Sequence, residues 1–423
     1  VTQGTLFDID PEPEPEPRPR FTPAQLARLL GVPEPTPEQA AVISAPLDPL
    51  AVIAGAGSGK SETMAARLVW LVANGLVAPE RVLGLTFTRK AAAELAGRVR
   101  SRLDGLRQVG LGLPASRAQP TDFDGDPVIA TYHAYAGRLI ADHALRDGLE
   151  PTLRLITPAV AWQLAAKVVA AYDGPMDAVE WTPVTVTAAV IDLSAELSEH
   201  LRGPDDGLAA GEWLDRRYAE VPAGKKRGAD TALKSQRVRA QLLPMVRAYA
   251  AAKAEREVID YGDQIAIAAR IAVRHPEVGQ LERARYQVVL LDEFQDTSHA
   301  QLELMRALFG GGHPVTAVGD PCQSIYGWRG ASAGNLRRFA STFPALPKPD
   351  YPKPDNPRSD SPRPDNPKPD NPKPDYPRSD SPSSDYPSSG LGGRAEVLQL
   401  STSFRNTGRV LDAAAEIQRD LRA

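Results

Sequence analysis

Cysteine is almost absent from this sequence. Cys322 stands alone among 423 residues. An internal disulfide is therefore excluded, and so is any four-cysteine zinc or iron–sulfur site within the chain. Long apolar runs are also missing. No stretch approaches the roughly 18 consecutive apolar residues of a membrane span. The N-terminus, VTQGTLFDIDPEPEPEPRPR, has neither the basic start nor the apolar centre of a secretory leader, so a cytoplasmic chain is expected. An excess of positive charge is lacking too. With a formal net charge of −4, any nucleic-acid site must come from local arrangement rather than from a global field.

What is present is ordinary for a globular protein: 42% hydrophobic and 24% charged residues, on a chain long enough for two or three domains. Proline is the exception, with 40 residues, nearly half of them in two places. One is the Pro-Glu tail up to about Arg20, expected to be extended and solvated. The other runs from Pro347 to Ser389, an imperfect five-residue repeat of Pro, Lys or Arg, Pro or Ser, Asp, then Asn, Ser or Tyr. No unit has an apolar face to bury, so a disordered or polyproline spacer is expected.

The chain is organised around Leu50–Ser61, LAVIAGAGSGKS. An apolar run stops at a glycine-rich turn ending in Gly59-Lys60-Ser61, and a helical pattern follows from Glu62. Strand, phosphate loop and helix are the reading. The loop Ala54, Gly55, Ala56, Gly57, Ser58, Gly59 leaves room for its N–H groups to converge on phosphate oxygens. Lys60 reaches the β and γ phosphates, and the Ser61 hydroxyl can ligate Mg²⁺. Ala54 stands where the usual pattern has its first glycine. Upstream, Thr22-Pro23 and Thr36-Pro37 each read as a capped helix start. Gln39, in the second of these, either offers its amide to an adenine edge or is a solvent-facing helical residue.

Further strands are expected at Arg81–Thr86, Val128–Tyr132, Gln287–Leu291 and Pro314–Gly319, with helices between them. Such alternation implies a parallel sheet covered on both faces, with ligands at the carboxyl ends of the strands. Each polar cluster falls at such an end. After the second strand come Thr86, Phe87 and Thr88 with locally basic sequence, suited either to a single-stranded nucleic acid backbone or to a solvated helix. After Leu291 come Asp292 and Glu293, which suit Mg²⁺ binding through water and polarisation of an attacking water. After Val318 comes Gln323, placed to sense a γ-phosphate. Tyr326, Trp328 and Arg329 follow, where ring faces can stack on bases or, for Trp328, fill a core. Residues 137–259 are mostly helical and Ala-rich, an expected insert. Its basic loop Gly224–Gly228 touches duplex DNA or is simply solvated. A helix is expected over Ser332–Phe343, and a last strand at Ala395–Leu400.

These strings resemble the motifs of the UvrD/Rep family of superfamily-one DNA helicases: TPEQAAVI, AGAGSGKS, LTFTRKAAAEL, ATYHAYAGRL, IDYGD, LLDEFQDT, VGDPCQSIYGWRGA and LSTSFRN, in the family's order from Thr36 to Asn406. The wording around Cys322 is similar to the AdnB-type helicase–nuclease subunit. The resemblance implies an ATP- and Mg²⁺-dependent translocase moving 3′ to 5′ on single-stranded DNA, in repair or recombination. It implies DNA junctions and a second helicase–nuclease subunit as partners. By motif, Gln39 reads adenine with Phe404 nearby, and Arg405 is an arginine finger. Thr86, Phe87, Thr88, His133, Tyr326, Trp328 and Arg329 lie along the DNA.

The expected architecture is a RecA-like α/β motor domain, 22–136 and 260–346, interrupted by the helical insert 137–259. It follows a tail at 1–21 and precedes a linker at 347–390. Residues 391–423 are expected to start a second, truncated RecA-like domain, since the motifs that follow LSTSFRN in the family are absent from this sequence. The alternative to a helicase is a nucleotide-gated DNA-binding module that does not unwind and needs a partner chain.

Overall fold

A computed structural model describes residues 19–110, 125–221, 226–325, 327, 334–347 and 395–404. Helices α1 (Pro23–Leu29) and α2 (Pro37–Ile43) precede strand β1 (Leu50–Ala54) and helix α3 (Lys60–Ala73). Thr22 and Thr36 cap the first two helices through capping boxes with Gln25 and Gln39, each followed by proline, as the sequence predicts. Such a cap contributes about 1 kcal/mol. Then come β2 (Val82–Thr86), α4 (Arg89–Gln108), β3 (Val128–Thr131) and α5 (Tyr132–His143). α3 begins two residues earlier than expected, at Lys60, because Gly59 supplies the left-handed turn (φ 81°) that starts it.

β4 (Arg154–Leu155) leads into helices α6 (Pro158–Ala170), α7 (Pro183–Glu199), α8 (Pro204–Glu220) and α9 (Lys226–Glu255), and β5 (Val258–Ile259) leads out. The chain continues through α10 (Tyr261–Arg274), α11 (Pro276–Arg285), β6 (Val288–Leu291), α12 (His299–Phe309) and β7 (Val315–Gly319). Short helices α13 (Gly334–Arg337) and α14 (Phe339–Thr342) and strand β8 (Glu396–Leu400) complete the described elements. The single helix expected over Ser332–Phe343 is broken at Arg338. Phe339 and Phe343 stack at 4.9 Å and both rings turn edge-on to Phe294, which holds the broken segment against the sheet.

Among the described residues the main sheet has six strands in the order β3-β2-β6-β7-β1-β8, all paired in parallel. Side chains alternate across it. Ala51, Leu83, Leu85, Val289, Leu291, Val315 and Ala317 enter one core with α5, α10 and α12. Leu50, Val52, Val82, Val288, Leu290 and Val318 enter the other with α1 to α4. Two buried faces explain why these strands are apolar at nearly every position. The fold is RecA-like α/β, as expected.

Three boundaries differ from the sequence reading. Residues 396–400 were expected to open a second domain, but they pair with β1 as the sixth strand of the same sheet. Their partner lies more than 340 positions away, which no local pattern encodes. Phe21, assigned to the solvated tail, is tied down: its N–H donates to Asn74 Oδ1 at 2.8 Å, and its carbonyl accepts from Trp70 Nε1 at 2.7 Å. The helical insert is narrower than 137–259. Leu139, Ile140 and Ala144 belong to the sheet's core, whereas α6, α7 and α9 share a separate one. The parallel pair β4–β5 joins the strands that enter and leave the insert. The spacer at Pro347–Ser389 lies outside the described residues except at Pro347 itself.

Candidate nucleotide and DNA site

The carboxyl ends of β1, β6 and β7 meet at one edge of the sheet. β1 delivers the glycine-rich loop, with Gly57 and Gly59 both at positive φ. Ser403 Oγ donates to the Ala56 carbonyl at 2.9 Å, and the Phe404 N–H donates to the Gly57 carbonyl at 2.9 Å. Gln39 Nε2 donates to the Ser58 carbonyl at 3.1 Å. Carbonyls held from outside turn the following N–H groups the opposite way, because a trans peptide sets the two antiparallel. Gly57 and Gly59 thereby present N–H groups away from the braces. α3 starts at Lys60 with no side-chain cap, so its first N–H groups and dipole are free for an anion. Ser61 is exposed at that helix start.

β6 delivers the acids. The Asp292 N–H continues the ladder to the Leu85 carbonyl, and its carboxylate is buried. That carboxylate accepts from the Glu293 N–H at 3.1 Å and from Thr86 Oγ1 at 3.4 Å. Burial, reinforced by the charge on Glu293, pushes the Asp292 carboxyl up to about 6 despite the opposing pull of Lys60. Tyr132 is buried beside it, its hydroxyl raised by burial and then by the Asp292 charge, and without a hydrogen-bond partner among the described residues. Glu293 sits at φ 49°, a left-handed conformation that costs a non-glycine residue about 1–3 kcal/mol. Its carboxylate meets Lys60 Nζ at 3.3 Å and Gln295 Nε2 at 2.9 Å.

The fit to Mg²⁺ and a nucleotide rests on these features. A buried, under-compensated carboxylate faces an uncapped helix start. The buried hydroxyls of Ser58 and Thr63, on the loop and the first turn, have no partner among the described residues. Among the described residues no three His, Cys, Asp or Glu side chains converge as a metal cage. A cation here would be shared between Asp292, Ser61 and phosphate oxygens.

β7 ends in Asp320. Its Oδ1 accepts from the Cys322 N–H at 2.9 Å, and its Oδ2 accepts from Gln323 Nε2 at 2.6 Å. Gln323 is thus on the expected edge but folded back onto Asp320. The described DNA candidates divide. Thr88 is exposed and caps α4 through the Ala91 N–H. Phe87 is half-buried and tilts against Tyr132 at 5.0 Å. His133 stands edge-on to Tyr261 at 5.9 Å, and Tyr261 is 45% exposed. Thr86 is corrected: it is buried, and its hydroxyl serves Asp292 rather than a DNA backbone. Tyr326, Trp328, Arg329 and Arg405 lie outside the described residues.

Gln39 also differs from expectation. Its Oε1 accepts from the Thr36 N–H at 3.1 Å while its Nε2 holds Ser58, so both ends of the amide are engaged within the protein. An added Cβ on Gly59 would lie 2.9 Å from that Nε2, so the loop and the amide are in close contact. Residues that motif spacing does not single out also shape the site. Gln295 bridges the ends of β6 and β7. Arg67, almost fully buried, donates to the carbonyls of Val42, Ile43, Ala45 and Pro46 and to Thr316 Oγ1. It fixes the chain entering β1. An arginine inside an otherwise apolar helix was the available signal.

Comparison with known proteins adds the lineage. The profile of the UvrD/REP helicase N-terminal domain matches residues 35–344. Similar proteins include DNA helicase II of Escherichia coli K12, 28% identical over 307 residues, which cover 73% of this chain and 36% of that protein. A probable DNA helicase II homolog of Rickettsia felis is 29% identical over 309 residues, 73% of this chain and 40% of that protein. The ATP-dependent DNA helicase PcrA of Staphylococcus aureus Mu50 is 28% identical over 308 residues, 73% of this chain and 36% of that protein. The match thus spans well under half the length of these relatives. With the profile matched over residues 35–344, most of this chain, and the site built at the sheet edge described above, this chain belongs to the UvrD/REP helicase N-terminal domain family.

Proposed function

We propose that this chain carries the nucleotide-binding side of an ATP-driven DNA motor. The observation that carries the reading is the meeting of Lys60, Asp292 and Glu293 at the carboxyl edge of one sheet, beside a phosphate loop with its outward carbonyls held. The named activities of the relatives, DNA helicase II and ATP-dependent DNA helicase PcrA, agree with it.

In the proposed cycle the N–H groups of the loop and of α3 bind the β and γ phosphates. Lys60 exchanges Glu293 for the γ-phosphate, which frees the Glu293 carboxylate to take a proton from the attacking water. Ser61 and Asp292 would hold a Mg²⁺ ion, which would supply positive charge against the negative charge on the phosphates. Gln323 faces the γ-phosphate once released from Asp320. Arg405 supplies further positive charge, and Phe404 flanks the base. Phe87, Thr88, His133, Tyr326, Trp328 and Arg329 line the DNA path, and the half-exposed Tyr261 extends it. Movement 3′ to 5′ on single-stranded DNA, a place in repair or recombination and a second helicase–nuclease subunit are proposed from the family resemblance alone.

The test is ATP turnover with and without oligo-dT, together with strand displacement on a 3′-tailed duplex. ATP turnover stimulated by single-stranded DNA supports the motor. Nucleotide-dependent DNA binding without displacement supports the gated binding module instead. Failure to bind either ligand overturns both.

A further inference from the structure

Gln295 is 1% exposed and polar at both ends of its side chain. Its Nε2 donates to Glu293 Oε2 at 2.9 Å, and its Oε1 accepts from the Asp320 N–H at 3.0 Å. Its backbone carbonyl accepts from Ser324 Oγ at 3.3 Å. The neighbouring Asp296 carboxylate accepts from the Ile325 N–H at 3.1 Å. A Cβ on Gly319 would lie 2.3 Å from Gln295 Oε1 and 3.2 Å from Gln295 N, so β7 approaches this residue as closely as a bare backbone allows.

The orientation of the amide is set by its partners. A carboxylate needs a donor and a peptide N–H needs an acceptor. Reversing the amide would place two acceptors together at Glu293 and two donors together at Asp320. Among side chains of this length only glutamine meets both demands. A polar chain therefore runs from Lys60 through Glu293, Gln295 and Asp320 to Gln323, and a parallel one through Asp296 to Ile325. The sequence directly beyond Ile325 is Tyr326-Gly327-Trp328-Arg329.

We propose that Gln295 is a positioning residue that links the state of the Glu293 carboxylate to the backbone of residues 320–325. The link rests on the assignment of Lys60 and Glu293 to an ATP site. In the structure Glu293 is shared between Lys60 and Gln295. When Lys60 turns to a phosphate, the carboxylate loses one of its two partners and shifts on the other. Because the Gln295 amide is packed against Gly319 without free space, it cannot reorient without disturbing the Asp320 N–H. Interiors packed to this density move between discrete arrangements rather than stretching.

The experiment is hydrogen exchange on the full chain, free and saturated with Mg²⁺ and a non-hydrolysable ATP analogue, with analogue binding measured in parallel. In the wild-type chain the amides of Asp320, Gln323 and Ile325 should change their exchange rate by about tenfold, the effect of gaining or losing one such hydrogen bond on local opening. Gln295→Met should still bind the analogue and lose that response. A purely structural glutamine would lower protection at these amides by the same factor with and without nucleotide, so that the nucleotide response survives in Gln295→Met, and that outcome overturns the proposal. If that variant does not fold, Gln295→Glu keeps the length and the acceptor but sets carboxylate against carboxylate, and should lose the response likewise. The wild-type arm also stands alone: binding without any change at 320–325 refutes the link while leaving the ATP site intact. No binding at all refutes the ATP site and the link with it.

Discussion

Replacing Asp292 by asparagine should make the nucleotide-free protein more stable, and by an amount that depends on pH. Burial and the Glu293 charge raise this carboxyl to about 6 from its ordinary value of 3.8. A raised carboxyl means that the folded state binds its proton more tightly than the unfolded chain does. The charged form therefore weighs against folding at neutral pH, and the penalty fades as pH falls through 6 toward 4. At 1.36 kcal/mol per unit, the cost is about 3 kcal/mol at pH 7 and roughly half that at pH 5. Asparagine removes the charge and keeps the shape. Its carbonyl still accepts from the Glu293 N–H, and its amide can donate to the Thr86 hydroxyl, which rotates to accept. Denaturant melts of the two proteins from pH 4.5 to 8 give the difference directly. Asp292→Asn should gain stability that grows with pH and levels off above about 7. In the same variant Mg²⁺-dependent nucleotide binding should fall, since the charge that opposes folding is the one that would hold the cation. A difference that is flat in pH, or an asparagine variant that is less stable throughout, would refute the electrostatic account of this site.

Other substitutions test the supports of the site. Arg67→Met should destabilise the chain by about 3 kcal/mol or more, read by denaturant melts, because it strands the buried carbonyls of Ile43 and Ala45. Burial lowers the Arg67 guanidinium to about 10, so it stays charged at neutral pH and the effect should be the same from pH 6 to 8. Lys253 donates to Asp260 at 2.7 Å and Asp263 at 2.6 Å beside the β4–β5 pair. Lys253→Met leaves both carboxylates without their cation and should cost about 3 kcal/mol, with faster proteolysis between 144 and 158. Gln39→Ala tests whether that amide braces the loop or reads a base. Bracing predicts that ATP and GTP weaken together, by about tenfold, whereas base reading predicts loss for ATP alone.

Much of the fold was legible because its signals are local. Alternation does not distinguish the two faces of β1, β2, β6 and β7, since both are buried, but the short apolar runs bounded by glycine and polar clusters mark the strands themselves. Thr22-Pro23 and Thr36-Pro37 fix helix starts within a residue. The loop Ala54–Ser61 is identifiable because its geometry needs glycine at 57 and 59. What was not legible depends on distant contacts. β8 reads as a strand, but its pairing with β1 is decided by an open sheet edge far away in sequence. Thr86 follows an apolar run in a basic neighbourhood, and only the placement of β6 beside β2 turns its hydroxyl inward to Asp292. Gln39 and Gln295 are amides whose partners exist only after folding. Each could equally have faced solvent, and the buried Gln295 gives no periodic signal because it lies past the end of its strand.

The most direct measurement is the binding of a fluorescent ATP analogue to the wild-type chain and to Lys60→Ala, with and without Mg²⁺. Lys60 carries the charge at the start of α3 and the only ion pair to Glu293 among the described residues. The account predicts saturable binding that ATP displaces, that strengthens with Mg²⁺, and that weakens at least about tenfold in the variant, the effect of losing a charge-assisted contact to phosphate. Equal binding by the two proteins, or binding indifferent to Mg²⁺, would contradict it.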